Sequence, residues 1–264
     1  MLSQLVGLFG LLGYLGATVG LLSAGEPSRR QRWLLLGLAA AGGHLFVLWD
    51  ALVVPEGIAF GVLHAASALA FSLALLTLAG GFRAPLDNLL IVLLPLAALL
   101  LALTAWLPDH LHPIQRFDAG LGVHILGSLL AHSLFTLAAI EAVWLLIAER
   151  RLRSRRPGWV LAFLPPLAYM EQLLFRLLAA GFLLLTVSLT AGMLYVEDFY
   201  AQHLVHKAVL ASAAWVLFGI LVIGRVLAGW RGRTAIRLTL SGFVLLALAY
   251  FGTRVVLEFI LGRV

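Results

Sequence analysis

The chain has 264 residues, of which 62% are hydrophobic and 11% charged, and its mean hydropathy is +1.05. That balance excludes an ordinary soluble globule and points to a polytopic membrane protein. The formal net charge of +6 does not indicate nucleic-acid binding, because the basic residues flank apolar segments and read as topology signals and contacts to anionic membrane lipids. The densest basic cluster, ERRLRSRRPGW (149–159), has no interleaved aromatics to stack bases. Without cysteine there is no disulfide, thiolate metal site or thiol redox chemistry.

Eight apolar stretches reach, or nearly reach, the roughly 20 helical residues needed to cross a hydrocarbon core of about 30 Å. They lie at about 3–24, 33–54, 60–80, 87–107, 120–148, 172–194, 205–228 and 236–261. Their length and Leu/Ala richness indicate helices, since barrel strands would be shorter and alternating. The predicted fold class is therefore all-α, an eight-helix membrane bundle forming a single transmembrane domain over 1–264. The loops are short and leave no room for a soluble catalytic module.

The first stretch ends in LLSAG, which resembles a small-residue cleavage site, but no basic residue precedes it. A retained first helix is expected. The second carries GGHLFVLWD (42–50) and places His44 some 16 Å of helix beyond Trp33, near mid-membrane, at about 1.5 Å per residue. Gly42 and Gly43 beside it permit close approach of a helix or a flat ligand. His64 falls near the mouth of the third stretch. After the fourth comes LPDHLHPIQRFDAG (107–120), where Asp109, His110, His112 and Asp118 read as a solvated loop or a divalent-cation site of no known ligand spacing. His203 has the same standing.

The fifth stretch opens with His124 and holds His132 two turns deeper, rotated by about 80°. Glu141 lies in its inner half. RRPGWVLAFLPPLAYMEQ (155–172) follows; its ProPro pair stops a helix, and Trp159, Phe163 and Tyr169 suit an interfacial segment. A new helix is expected from near Tyr169, with Glu171 and Arg176 at its mouth. The seventh opens with His206 and Lys207. In the eighth, Arg254 and Glu258 are spaced for an i,i+4 ion pair.

Arg29, Arg30, Arg32, Arg83, Arg150, Arg151, Arg153, Arg155, Arg156, Arg225, Arg231, Arg233 and Arg237 all fall on one side of the bundle. The other side holds only Arg116, Lys207 and Arg263. The positive-inside rule then places the basic loops in the cytoplasm and both termini outside.

An imidazole in hydrocarbon is costly unless partnered, which makes these histidines functional candidates. His124 and His206 lie at matching depth on different helices. They are read either as bis-imidazole ligands of a haem iron or as interfacial groups bonded to headgroups and loop carbonyls. His44 is either a cofactor-binding residue or a histidine bonded to a neighbouring helix. Trp215, Phe199 and Tyr200 are candidate stacking walls. His44, His132 and Glu141 offer a different reading, an interior path for a metal ion or protons. No nucleophile elbow, Walker loop, HExxH or paired catalytic carboxylates are found, so a non-enzymatic role is expected.

FRLLAAGFLLLTVSLTAGMLY (175–195), HKAVLASAAWVLFGILVIGRVLAGWRGR (206–233) and SGFVLLALAYFGTRVV (241–256), preceded by VHILGSLLAHSLFTLAAIEA (123–142), carry a family resemblance. The chain resembles the cytochrome c assembly family of haem-handling membrane proteins, the CcsA/CcmC type, and in particular its bacterial inner-membrane YpjD branch. The likeness is strong over about 120–256 and colinear before that. It implies haem as cofactor, the bacterial inner membrane as location, cytochrome-assembly proteins as partners and His124 as an external haem ligand. The chain departs from the pattern at two places. YVEDFYAQHLVHK (195–207) has none of the tryptophans of the family's WWD loop, and EFILGRV (258–264) lacks the late histidine. His206 lies where the WWD loop would end, in a position to substitute as ligand.

Overall fold

In a computed structural model the chain is a set of long apolar helices, because in hydrocarbon only a helix closes all of its backbone hydrogen bonds within one segment. The structure describes residues 1–23, 26–54, 57–107, 112–113, 119–154, 164–195 and 202–252. Of residues 54, 59–60, 112–113, 202–206 and 251–252 it describes the backbone alone. The helices are α1 (Leu2–Ser23), α2 (Pro27–Leu52), α3 (Val62–Gly81), α4 (Asp87–Trp106), α5 (Ala119–Arg153), α6 (Leu167–Tyr195), α7 (Gln202–Ala228) and α8 (Arg233–Ala247), the last running into a π-helical turn, Leu248–Gly252. Eight segments are long and apolar enough to cross a membrane, as the sequence predicts.

Boundaries differ where local chemistry overrides hydropathy. Helix α2 stops at Leu52, and Val53–Val54 (β1), expected to end the second span, pairs antiparallel with Gly57–Phe60 (β2), most of which precedes the expected start of the third. The β-branched valine pair before Pro55 favours extended backbone. Strand β2 also pairs with His112–Pro113 (β3), so part of the predicted solvated loop is tied to this small sheet. Helix α6 starts at Leu167, directly after Pro165–Pro166, near where the proline stop predicts. The predicted interfacial segment lies largely outside the described residues, as do Arg254, Glu258, Phe199 and Tyr200.

Contacts divide the chain into two compact units, Met1–Phe117 and Asp118–Val264. In the first, α1 packs on α2 and α4, and α3 on α2 and α4. Both faces of α1 are largely apolar, and the one turned inward carries small residues together with Tyr14. Gly7, Gly10, Tyr14, Ala17 and Leu21 are buried, while Leu5, Phe9, Leu12 and Val19 face outward. Gly10 is one close approach of three helices, because a Cβ there would stand 2.7 Å from Leu101 Cδ2 and 3.4 Å from the Ala40 carbonyl oxygen. At the basic end of this unit, Arg30 Nε donates to both Asp87 carboxylate oxygens at 3.0 Å, and its Nη1 donates to the Gly81 carbonyl at 2.8 Å. That clamp joins the start of α2 to the α3–α4 turn.

In the second unit α5 packs against α6 and α8, and α7 against the same two helices. Phe135 and Phe218 stack at its centre, 3.8 Å between ring centroids. At the basic end, the Gly232 N–H at the head of α8 donates to Glu171 Oε1 at 2.9 Å, and Arg233 lies 3.9 Å from Glu149.

Two outcomes follow. Reporter fusions should place Arg153 in the cytoplasm and Asp109 and the C-terminus outside, and a cytoplasmic C-terminus would overturn the orientation. Gly10→Val should cost about 1–3 kcal/mol by overpacking the α1–α2–α4 seam, read as a lower thermal midpoint in detergent.

Candidate functional site

Helix α2 carries His44 into the middle of the first unit, where it is fully buried. Its Nε2 lies 2.9 Å from Ser67 Oγ on α3, and its Nδ1 lies 3.4 Å from the Tyr14 hydroxyl on α1. Ser67 in turn donates to the Leu100 carbonyl on α4 at 3.5 Å. A hydroxyl that donates its one proton to a carbonyl must accept from the imidazole, which puts the ring proton on Nε2 and leaves Nδ1 to accept from Tyr14. Both nitrogens are engaged, and the chain of bonds touches all four helices of the unit. Tyr14 and Phe71 pack edge-on against the ring at centroid distances of 5.9 and 5.6 Å. The space beside Gly43 is filled by helix α1, since a Cβ there would meet Val6 at 3.4 Å and Gly10 at 3.8 Å.

His124 is arranged differently. It lies near the start of α5, partly exposed, and its Nδ1 is 2.8 Å from the Ser188 carbonyl oxygen on α6. A carbonyl only accepts, so Nδ1 carries the proton and Nε2 keeps its lone pair. Nε2 has no hydrogen-bond partner among the described residues. The contact is reciprocal: Ser188 Oγ donates to the His124 carbonyl at 3.0 Å. Nothing in the hydropathy singles out Ser188; its only signal is a hydroxyl in an apolar span at the depth of His124.

Of the predicted partner His206, only the backbone is described, in the first turns of α7. The pairing of the two rings therefore lies outside the described residues, as do Asp109, His110 and Asp118, while His112 and His203 are described in backbone alone. Trp215 is held away from His124. Its Nε1–H donates to Thr186 Oγ1 at 2.8 Å and its ring stacks on Phe182 at 5.5 Å. Thr186 and Ser188 are about 200° apart around α6, so Trp215 and His124 contact that helix from opposite sides. The expectation that Trp215 walls a cavity shared with His124 is corrected by this geometry.

His132 and Glu141 are both buried on α5, and His132 packs against Tyr250 of the π turn at 4.8 Å. They lie about 180° apart around the helix, so they do not share a face. His64 is buried in the first turn of α3. Among the described residues no three His, Asp or Glu side chains converge as a metal cage. A cavity of about 300 Å³ at the basic end of the second unit is lined by Leu145, Glu149, Leu167, Glu171 and Ile236, and both of its carboxylates face groups at the head of α8.

Ser67→Ala should leave the buried Nε2–H of His44 unpaired and cost about 1–3 kcal/mol, measured as reduced resistance to unfolding in detergent. Ser67→Thr, which keeps the hydroxyl, should lose much less.

The profile of the family described as cytochrome C assembly protein matches residues 34–261. Inner membrane protein YpjD of Escherichia coli strain K12 is 33% identical over 175 residues, which cover 65% of this chain and 65% of that protein. An uncharacterised 28.8 kDa protein of Azospirillum brasilense is 37% identical over 53% of this chain and 52% of its own length. The cytochrome c biogenesis protein CcsA of Cyanophora paradoxa is 28% identical over 31% of this chain and 26% of its own. The chain thus spans about two thirds, or less, of these relatives. No solved structure matches it. With eight membrane-spanning helices and a profile match running from α2 past the π turn, the chain belongs to the cytochrome c assembly protein family.

Proposed function

We propose that this protein binds or positions haem near the outer, periplasmic face of the bacterial inner membrane during cytochrome c assembly, with His124 and His206 as the axial ligands of the iron. The observation that carries the reading is the hydrogen bond from His124 Nδ1 to the Ser188 carbonyl, 2.8 Å long, at the end of a span. It holds the imidazole in the tautomer whose free Nε2 lone pair is the one a haem iron accepts. A surface histidine bonded only to headgroups has no reason to be fixed in this way. Family membership and the names of the E. coli and Cyanophora relatives support the location and the process. The role is one of holding and orienting, with cytochrome-assembly proteins as partners in the membrane.

The residues fit the group as far as donor chemistry goes: one imidazole nitrogen is available on α5, and α7 brings a second histidine into its first turns. Haem iron takes such nitrogens in its axial positions. His44, whose two ring nitrogens are both engaged, is assigned to its helix bundle and not to iron.

Protein purified from membranes supplied with haem should show a Soret band of bis-histidine type. His124→Ala and His206→Ala should each shift or abolish it, weakening haem binding by more than about 100-fold, since outer-shell partners alone are worth about 10–100-fold. His44→Ala should keep the band in whatever protein remains folded. Haem-free protein after haem supply, or full occupancy in the double His124/His206 replacement, would overturn the assignment.

A further inference from the structure

We propose that Ser188 and Gly192 of α6 are the positioning residues of His124. The Ser188 carbonyl fixes the ring proton on Nδ1, and Gly192 keeps open the space that the ring occupies, so that Nε2 alone is presented to a ligand. The proposal rests on the haem reading for its purpose, but it makes a claim about the haem-free protein that stands by itself.

Three observations carry it. The Nδ1–H bond to the Ser188 carbonyl is short, at 2.8 Å, and Ser188 is buried, so no water competes for that acceptor. The Ser188 hydroxyl returns a bond to the His124 carbonyl at 3.0 Å, and its Oγ lies 3.3 Å from Nδ1, so one residue touches both the ring and the backbone of the histidine. One turn further along α6, a Cβ on Gly192 would stand 2.8 Å from Nδ1 and 2.9 Å from the neighbouring ring carbon. Real side chains do not approach so closely. Any residue other than glycine there must turn the ring, and turning it breaks the bond to Ser188. Positions 188 and 192 are four apart, on one face of α6, which is how one helix both anchors the ring and leaves room for it. An outer-shell carbonyl on a ligating imidazole is the usual means of setting tautomer and orientation.

Solid-state nitrogen NMR of the full-length, haem-free protein in lipid bilayers, labelled with ¹⁵N-histidine, tests this. The His124 signals are assigned by their loss in His124→Asn. The expected spectrum has Nδ1 protonated and Nε2 bare. Ser188→Ala keeps the carbonyl and should keep that tautomer. Gly192→Ala should lose the single-tautomer signal and weaken haem binding about 10–100-fold, while the other histidine signals stay in place and report an intact fold. A wild-type His124 protonated on Nε2 would overturn the proposal without recourse to any variant. So would a Gly192→Ala spectrum identical to the wild type. The expected tautomer in a protein that takes up no haem would uphold the positioning and sink the haem reading instead.

Discussion

Inside hydrocarbon no water completes an unmade hydrogen bond, and the side chains of this protein meet that constraint in two distinct ways. Most hydroxyls, Ser67 and Ser188 apart, solve it locally. Thr18, Ser72, Thr77, Thr104, Ser133 and Thr186 each donate to the carbonyl four residues back on their own helix, and need no neighbour. An imidazole does not fold back onto its own turn in this way, so it must find its partner across a helix interface. The histidines bonded across an interface therefore decide which helices are held at which depth. His44 ties α2 to α1 and α3, and His124 ties α5 to α6. Apolar packing brings the helices together, but Leu on Ala is tolerant of sliding. A hydrogen bond is not, because a slip of one residue leaves a polar group stranded at a cost of about 1–3 kcal/mol.

The same constraint separates histidines that hold structure from one that is free to do chemistry. An imidazole has two nitrogens, and what matters is how many of them the fold has used. His44 uses both, between a tyrosine and a serine, and every bond in that chain terminates within its own four helices. His124 uses one, on a carbonyl that cannot supply a proton, which leaves the other nitrogen as a lone-pair donor. Depth makes the same division. A fully engaged ring is tolerable at mid-membrane, whereas a half-engaged ring is affordable only near the end of a span, where His124 lies.

The spans were legible because hydropathy and length are what a bilayer selects, and the ProPro stop before α6 was legible because proline acts through local sterics. The strand pairing was not: residues 53–54 and 57–58 form a tight hairpin whose only local sign is a valine pair before a proline, and residues 59–60 pair with 112–113, far along the chain. In the site, position along the helix was readable from helical rise: His44 lies well inside α2 and His124 near the start of α5. What was not readable was the rotation of one helix against another. Both faces of α1 are apolar, as are most faces of α6, so hydropathy alone does not say which one points inward. Ser188, the residue that sets the tautomer of His124, could not be told in the sequence from serines that bond back to their own helix. Trp215 was misplaced for the same reason: it is on the right helix but the wrong side of α6.

That rotation has a consequence for how haem would be held. A tryptophan-rich loop, which the family resemblance leads one to expect, would offer an aromatic surface to a porphyrin face. This chain has no tryptophan in the corresponding loop, and Trp215 has its N–H on Thr186 and its ring on Phe182, turned away from His124. On the haem reading, recognition then falls on the iron more than on the macrocycle. Stacking an extended aromatic face adds affinity that is indifferent to the metal, whereas axial imidazoles discriminate by it. A site that relies on ligation needs each ligand held firmly, because an imidazole free to rotate loses orientation, and with it the advantage of being placed in advance. The reciprocal bonds between His124 and Ser188 supply that rigidity from the bundle itself. On that reading, His124 on α5 gains its placement from bonds across two helices and not from a loop.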